Sequence, residues 1–278
     1  MALTETESAA VEKANKAGKG VVFIHGLWLL PSSWDRWGDV FSQATYTPIP
    51  VSWPGDPENV EEARKNPEAF ANVTVGQVAA HVAEVVAALD EKPAIVGHSF
   101  GGLQAQIAAG RGLSKVTVAI DPAPFRGVLA LPISTLRAAG PVLANPLNRG
   151  KAVTLSLGQF KYGWANALDE KEAAELYEEF HVAGSAKCLF QGADANINPF
   201  SELKVDTDNP HRGPLLIISG EKDHTVPWAI ANSSFKKQKG NEATTEISEL
   251  SNRGHSLTID SGWQEVAETA LKFVQRFT

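Results

Sequence analysis

The sequence contains few of the residues that build redox and metal sites, and no excess of basic residues. Its 278 residues include one cysteine, Cys188, which excludes an internal disulfide and a cysteine-rich metal site. Lys and Arg total 25 against 32 Asp and Glu, so the net charge is −7. Because nucleic-acid affinity depends on basic side chains that neutralise phosphates, this balance argues against a nucleic-acid partner. It argues in the same way against docking on an anionic membrane.

Long apolar runs and targeting signals are absent as well. No stretch reaches the roughly 18 consecutive apolar residues typical of a membrane-spanning helix. Residues 1–19 lack the basic start and apolar run of a secretory signal, so we expect a cytoplasmic protein. The motifs H-E-x-x-H, C-x-x-C, G-x-x-x-x-G-K-[ST] and G-x-G-x-x-G do not occur. We therefore expect neither a metal nor a cofactor.

Short apolar runs alternate with helical patterns along much of the chain. Such runs predict strands buried on both faces, as in a parallel sheet, and they occupy residues 20–24, 94–96, 116–120 and 215–220. Weaker patterns predict further strands at 46–51 and 244–250. Helices are predicted at 33–44, with Ser33 as N-cap, at 75–89 after the capping Thr74, from the end of the third strand to about 110, and at 228–237 and 263–277. Residues 54–73 are expected to be irregular.

This alternation predicts an α/β fold, a three-layer sandwich around a mainly parallel sheet of about six strands. Residues 123–212 interrupt the pattern, since they contain no run typical of a parallel strand. We interpret them as an inserted helical cap, called the cap segment below. The predicted division is an N-terminal arm (1–19), a core (20–122 and 213–278) and the cap segment. We expect the apolar side chains of the cap segment to pack within it or over the carboxyl edge of the sheet.

One motif indicates chemistry. Gly97-His98-Ser99-Phe100-Gly101 fits G-x-S-x-G, follows a predicted strand directly and opens a predicted helix directly. This context is typical of a nucleophile elbow, a sharp turn that exposes a reactive serine. The alternative interpretation is a glycine-rich helix start with a capping serine.

A serine hydroxyl is a weak nucleophile and needs a base. His255 follows the last predicted strand, which places it at the carboxyl edge of the sheet, where sites in open α/β sheets form. His98 lies within the elbow, and its side chain is expected to point away from Ser99. His25 is expected to hold the loop that follows the first strand. His255 is therefore the predicted base.

The base needs an acid that fixes its tautomer and stabilises the imidazolium. Asp223 comes just after a predicted strand, and the order Ser99, Asp223, His255 is the one expected for this arrangement. Asp121 is the rival, because it also ends a strand at the same edge.

The developing oxyanion needs backbone N–H donors. We expect one from Phe100, the residue after the nucleophile. The second is expected from the loop after the first strand, with Leu27 preferred over Trp28. The candidate lining residues of the substrate pocket are Trp28, Asp121, Phe125, Trp164 and Trp228.

Together these pieces resemble the α/β-hydrolase superfamily. The matching segments are residues 21–26, 97–102, 220–223 with 226–227, and 254–256. The resemblance implies a serine-hydrolase branch, similar to esterases and lactonases and carrying a helical cap. It also implies Ser99 as nucleophile, His255 as base, Asp223 as acid, and Leu27 and Phe100 as oxyanion donors.

The sequence departs from that family in three places. The 19 residues before Gly20 leave little room for the opening hairpin, which favours six strands over eight. Dehalogenases and epoxide hydrolases of this fold use an aspartate nucleophile, and Ser99 at that position argues against both chemistries. The His-Gly-Gly-Gly loop of lipases is absent, and His25-Gly26-Leu27-Trp28 stands there.

The expected function is hydrolysis of a small or medium apolar ester, lactone or related acyl bond through an acyl-enzyme on Ser99. The partner is then a small-molecule substrate, and the choice between monomer and homodimer stays open. Two alternatives keep the same residues. One is lyase or perhydrolase chemistry, and the other is a very slow hydrolase that acts as a receptor for a small ligand.

Overall fold

The structure, a computed structural model that describes residues 2–278, has eight strands in two sheets. The strands are β1 (Gly20–Ile24), β2 (Thr47–Val51), β3 (Ala94–His98), β4 (Val116–Ile120), β5 (Ala152–Val153), β6 (Gly184–Ser185), β7 (Leu215–Gly220) and β8 (Thr245–Leu250). Six of them form the main sheet in the order β2-β1-β3-β4-β7-β8, and every neighbouring pair is parallel. The six-stranded α/β fold predicted from the sequence is thus confirmed.

Eleven α-helices surround the strands in residues 2–278. They are α1 (Glu5–Ala17), α2 (Asp35–Gln43), α3 (Val60–Lys65), α4 (Val75–Ala87), α5 (Phe100–Gly110), α6 (Ile133–Leu143), α7 (Leu157–Gly163), α8 (Glu170–Phe180), α9 (Ala186–Asp194), α10 (Trp228–Gln238) and α11 (Trp263–Gln275). None of these helices combines the length and the apolar character needed to cross a bilayer.

Alternation along β1 shows how the three layers form. Val22 and Ile24 pack into a core that includes α1, α4 and α5. Val21 and Phe23 face the opposite side and pack into a second core with α2 and α11. Successive side chains of a strand point to opposite faces, so an uninterrupted apolar run supplies both cores at once.

Two local predictions were wrong. Ser33 does not cap α2, because it lies in a 3-10 turn (Pro31–Trp34) where its hydroxyl donates to the carbonyl of Leu30. Residues 54–73 are not irregular throughout, since they contain α3, which Asn59 caps, and a second 3-10 turn (Pro67–Phe70). Both elements are shorter than two turns, and such lengths give no readable apolar periodicity.

Within residues 123–212 lie α6 to α9 and the short antiparallel pair β5–β6. Phe125, Phe160 and Trp164 are buried there, as expected of packed apolar side chains. Leu129, Leu131, Ile133, Leu136 and Phe200 are exposed instead, which corrects the expectation that they pack. They lie on a loop, on the first turn of α6 and on a second loop.

The N-terminal arm is held by a buried ion pair; its first residue, Met1, lies outside the described residues. Glu7 on α1 accepts a hydrogen bond from His81 Nε2 of α4 at 2.9 Å, and both side chains are about 1% exposed. The same carboxylate accepts from the amides of Thr4 (2.8 Å) and Ser52 (3.0 Å). One buried group therefore joins α1, α4 and the end of β2.

The pair predicts a pH-dependent stability. Burial acts to raise the pKa of Glu7, but hydrogen bonds from His81, Thr4 and Ser52 leave it below 4.5. The hydrogen bond to Glu7 raises the pKa of His81 above 6.5. Glu7 stabilises the fold above pH 4.5 and loses this effect as the pH falls. His81 contributes fully below pH 6.5 and loses its effect as the pH rises through its folded pKa.

We therefore expect Glu7→Gln to lower the free energy of unfolding by about 3 kcal/mol at pH 5.5 and by less at pH 9. Urea unfolding at the two pH values measures the difference. Glu5→Gln, at an exposed position of the same helix, is the control and should change little. An equal loss at both pH values would contradict an ionic role for the pair.

Candidate active site

The turn between β3 and α5 has an unusual backbone. Ser99 has φ 57° and ψ −120°, a region that residues other than glycine seldom occupy. Its amide donates to the carbonyl of Ile120 at 2.9 Å, which holds the turn against β4. The serine thus stands at the N-terminus of α5, where the helix dipole favours a developing negative charge.

The glycines of the motif are required by contact distances. A Cβ atom at Gly97 would lie 2.1 Å from the carbonyl oxygen of Gly101. A Cβ atom at Gly101 would lie 2.0 Å from the carbonyl oxygen of Ile24. Neither distance is possible for real atoms, so the turn exists only with glycine at both positions.

A chain of hydrogen bonds joins the three predicted catalytic side chains. His255 Nε2 lies 2.9 Å from Ser99 Oγ, and His255 Nδ1 lies 2.6 Å from Asp223 Oδ2. Asp223 Oδ1 accepts from the amides of Thr225 (2.6 Å) and Val226 (2.8 Å), which fixes the carboxylate plane. Since a carboxylate only accepts, Nδ1 carries the proton, and Nε2 is free to take one from the serine.

The sheet order explains why these residues meet. Ser99 follows β3, Asp223 follows β7 and His255 follows β8, and all these strands are parallel. Their carboxyl ends therefore lie at one edge, with β4 between β3 and β7. Asp121 ends β4 and so lies among the other three.

Asp121 has a different environment from Asp223. It is fully buried, its Oδ1 accepts from the amide of Gly220 at 2.8 Å, and its Oδ2 makes no hydrogen bond among the described residues. Burial, and then the negative charge of Asp223, raises the pKa of Asp121 well above its usual range. These effects favour the neutral form of Asp121, and the carboxyl group at hydrogen-bond distance from His255 Nδ1 belongs to Asp223.

Donor atoms of His98, Asp121 and His255 come within 4.8 Å of one another. His98 Nε2 donates to the carbonyl of His255 at 2.9 Å, and both nitrogens of His255 face Ser99 and Asp223. His98 Nδ1 and Asp121 Oδ2 make no hydrogen bond among the described residues, but both nitrogens of His255 already have partners, so the cluster does not offer three free ligand atoms for a metal. Burial, followed by the nearby His255, lowers the pKa of His98 well below 6.5. A neutral His98 therefore holds the backbone of the His255 loop.

The loop after β1 lies directly over the elbow. A Cβ atom at Gly26 would come within 2.8 Å of Ser99 Cβ, so only glycine allows this approach. Among residues 2–278, neither the amide of Leu27 nor that of Phe100 donates a hydrogen bond to a protein group. Two N–H groups on either side of Ser99 are thus free to bind an oxyanion.

His25 orients one of these amides. Its Nδ1 contacts the carbonyl of Gly26 at 2.8 Å and its Nε2 contacts Asp56 Oδ2 at 2.9 Å, while Trp53 stacks on the ring. A carbonyl oxygen only accepts, so Nδ1 donates to the Gly26 carbonyl. The Gly26 carbonyl and the Leu27 amide belong to one planar trans peptide and point in opposite directions, so the bond from His25 also directs the Leu27 N–H.

Asp56 was missed from the sequence because it lies in the stretch expected to be irregular. The only indication in the sequence was that His25, which follows a buried strand, needs a hydrogen-bond acceptor. This did not identify Asp56 as the acceptor.

A cavity of about 230 Å³ opens above Ser99. Its lining is almost entirely apolar and includes Trp28, Leu131, Leu136, Leu143, Leu155, Trp164, Leu189 and Val226 together with Ser99. Trp28 and Trp164 therefore line it as the sequence suggested, and their rings meet edge to face. The side chains of α6, α7 and α9 were missed, because the sequence does not show which face of a cap helix points inward.

Three predicted lining residues lie elsewhere, which corrects the sequence expectation. Asp121 is buried below the base, where its carboxyl binds Gly220. Phe125 is buried in the apolar core. Trp228 is only half-buried at the start of α10. These residues were predicted because they lie near a strand end or near Asp223 in the sequence. Position in the sequence does not indicate where a side chain points.

The indole of Trp164 also contacts the base. Its ring lies edge-on to His255 at 4.7 Å between centroids, and its carbonyl accepts the amide of Ser256 at 3.0 Å. The cap segment thus contributes directly to the position of the histidine.

The fold recurs in solved structures. A monoacylglycerol lipase of Paleococcus ferrophilus aligns over 94% of this chain and 96% of its own, with 18% identity and a TM-score of 0.64. An extracellular alpha/beta-hydrolase from a Paenibacillus species aligns over 92% and 98%, with 17% identity and a TM-score of 0.63. Polyneuridine aldehyde esterase aligns over 92% and 99%, with 18% identity and a TM-score of 0.64. At these identities the likeness shows a shared fold alone.

No curated protein matches the chain in sequence. The model of the alpha/beta hydrolase family matches residues 21–269, which is most of the chain. The match includes every strand except the first residue of β1, and it includes Ser99, Asp223 and His255. The chain belongs to the alpha/beta hydrolase family.

Proposed function

We propose that the protein is a serine hydrolase that cleaves a small or medium apolar ester or a related acyl bond. The observation that carries this proposal is the hydrogen-bonded series Asp223–His255–Ser99, whose serine lines an apolar cavity. A serine that only capped a helix would need neither an aligned histidine nor a cavity.

In the proposed acylation step, Ser99 Oγ attacks the substrate carbonyl while its proton passes to His255 Nε2. The carbonyl oxygen becomes negative and accepts hydrogen bonds from the amides of Leu27 and Phe100. Asp223 stabilises the imidazolium without taking the proton. The tetrahedral intermediate then collapses, the bond to the alcohol breaks, and His255 returns the proton to the leaving oxygen.

Deacylation uses the same groups. His255 Nε2 removes a proton from a water molecule, which attacks the acyl-enzyme carbonyl. The second tetrahedral intermediate expels Ser99 Oγ, which regains its proton from His255. Acid product and free enzyme result, and the proposed cycle needs no cofactor.

The cavity supports an apolar substrate. None of its lining residues is charged, so a charged acyl or alcohol group would lose hydration without gaining a partner. Its volume, about 230 Å³, is smaller than that of most ligand pockets, which favours a small substrate.

We expect a fluorophosphonate probe to label Ser99 alone, because only this serine has an aligned base. Ser99→Ala should abolish both labelling and p-nitrophenyl butyrate hydrolysis while the protein stays folded. Peptide mapping by mass spectrometry locates the label. Ser219→Ala, at a buried serine with no base, is the control and should be labelled normally. A label on any other residue would refute the assignment.

For the acid, Asp223→Asn should lower kcat by about 10⁴, because the amide no longer holds His255 in the productive tautomer. Asp121→Asn should cost far less, since Asp121 makes no hydrogen bond to His255 and an amide has nearly the same shape as the carboxyl group. Steady-state kinetics on one soluble ester compare the two variants. The opposite ranking would make Asp121 the acid.

Chain-length preference tests the cavity. Leu143→Ala should shift the preference among p-nitrophenyl esters toward longer acyl chains, and Leu143→Phe toward shorter ones. Leu143 is a sharper choice than Trp164, whose removal would also disturb His255. Leu147→Ala is the control, since that leucine is exposed and outside the cavity. Unchanged profiles in both Leu143 variants would place the acyl group elsewhere.

A further inference from the structure

We propose that the face around the cavity mouth docks on an anionic lipid surface. The face is an apolar collar, formed by Leu129, Leu131, Ile133 and Leu136 on one segment and by Ile197 and Phe200 on another. The inference goes beyond the proposed hydrolysis and does not depend on it.

Nearly all the large apolar side chains that are exposed in residues 2–278 belong to the collar. Residues 2–278 expose seven large apolar side chains, and six of them belong to the collar. Leu129 is 75% exposed, Ile133 84% and Phe200 90%. Single exposed leucines are common on protein surfaces, but a contiguous apolar patch marks an interaction site.

Hydrogen bonds bring the two segments together. The amide of Gly127 donates to Asn196 Oδ1 at 2.7 Å, and Asn196 Nδ2 donates to the carbonyl of Val128 at 3.0 Å. Arg126 Nη1 donates to the carbonyl of Pro199 at 3.0 Å. The loops that carry Leu129 and Phe200 are therefore parts of one surface.

The collar also continues into the cavity. Leu131 and Leu136 are largely exposed and at the same time line the space above Ser99. An apolar substrate could thus pass from an apolar phase to the serine without crossing water.

The distribution of charged residues favours an anionic lipid surface as the occupant. Residues 122–168 contain five basic residues and no acidic one, although the whole chain carries −7. Arg149 pairs with Asp194, and Lys161 pairs with Glu170. The remaining three, Arg126, Arg137 and Lys151, pair with no carboxylate in residues 2–278.

The net charge of the whole chain does not show this uneven distribution of basic residues. The sequence argument against an anionic membrane used the total alone and therefore missed a basic segment that carries exposed leucines. Apolar insertion together with basic side chains is the combination that binds anionic bilayers. A second copy of the chain is a poorer occupant, because a two-fold contact would set this basic surface against itself.

Vesicle co-sedimentation of the full chain tests the proposal. Ser99→Ala serves as the parent, so binding is measured without hydrolysis and its outcome is separate from that of the proposed function. We expect more protein bound to vesicles of equal phosphatidylglycerol and phosphatidylcholine than to phosphatidylcholine alone. Leu129→Ser with Ile133→Ser should weaken that binding by at least about tenfold, since two exposed apolar anchors are lost.

Charge reversal completes the test. Arg137→Glu with Lys151→Glu should remove the preference for the anionic vesicles. Lys92→Glu with Lys272→Glu, two exposed positions outside the cap segment, makes the same change in net charge and should leave the preference intact. Thermal unfolding of each variant verifies the fold. In an active background, hydrolysis of a dissolved ester by the Leu129→Ser, Ile133→Ser variant should be unchanged.

Three results would overturn the proposal. One is the absence of binding to the anionic vesicles. Another is an equal loss in the two charge-reversal variants, which would indicate an effect of total charge. The last is a dimer in analytical ultracentrifugation that Leu129→Ser with Ile133→Ser dissociates, in a protein that binds no vesicles, which would make a second copy the occupant.

Discussion

The close approach of the β1 loop to the β3–α5 turn is the constraint on which the rest of the site depends. Three backbones meet there at distances that exclude a Cβ atom at Gly26, Gly97 or Gly101. Ser99 has a positive φ at this crowded turn, and Gly26, the residue before Leu27, lies against the Ser99 side chain. The cost of this backbone strain is offset by the buried cores on both sides of the sheet, to which β1 contributes with alternate residues.

The buried carboxyl groups near that turn differ in the partners that they have. Asp223 has backbone amides and His255 as partners, which compensate its removal from water. Asp121, on the strand between, has one amide and a like-charged neighbour, so the neutral form is favoured. His25 and Asp56 form a second buried pair behind the Leu27 peptide.

The cap segment has two distinct surfaces. Its inner side supplies the apolar lining of the cavity and places Trp164 against His255, so the pocket and the base share a support. Its outer side carries exposed leucines, two of which, Leu131 and Leu136, also line the cavity. A segment built only to exclude water would bury those leucines.

The sequence by itself determined the features that depend on local pattern. Apolar runs located the four inner strands of the main sheet, because a strand buried on both faces needs an uninterrupted run, and weaker patterns located the two edge strands β2 and β8. The motif around Ser99 and the positions of Asp223 and His255 after strands predicted that they would share an edge, since parallel strands end on the same side. The structure places these residues within hydrogen-bond distance of one another.

Only the tertiary structure decided which distant residues meet. The pairs Glu7–His81 and His25–Asp56 join segments 74 and 31 positions apart, and no local pattern encodes such contacts. The lining of the cavity depends on how α6, α7 and α9 are rotated, so Phe125 and Trp228 were misplaced and Leu143, Leu155 and Leu189 were missed. Contacts between distant residues arise from packing in three dimensions, and a one-dimensional pattern does not contain them.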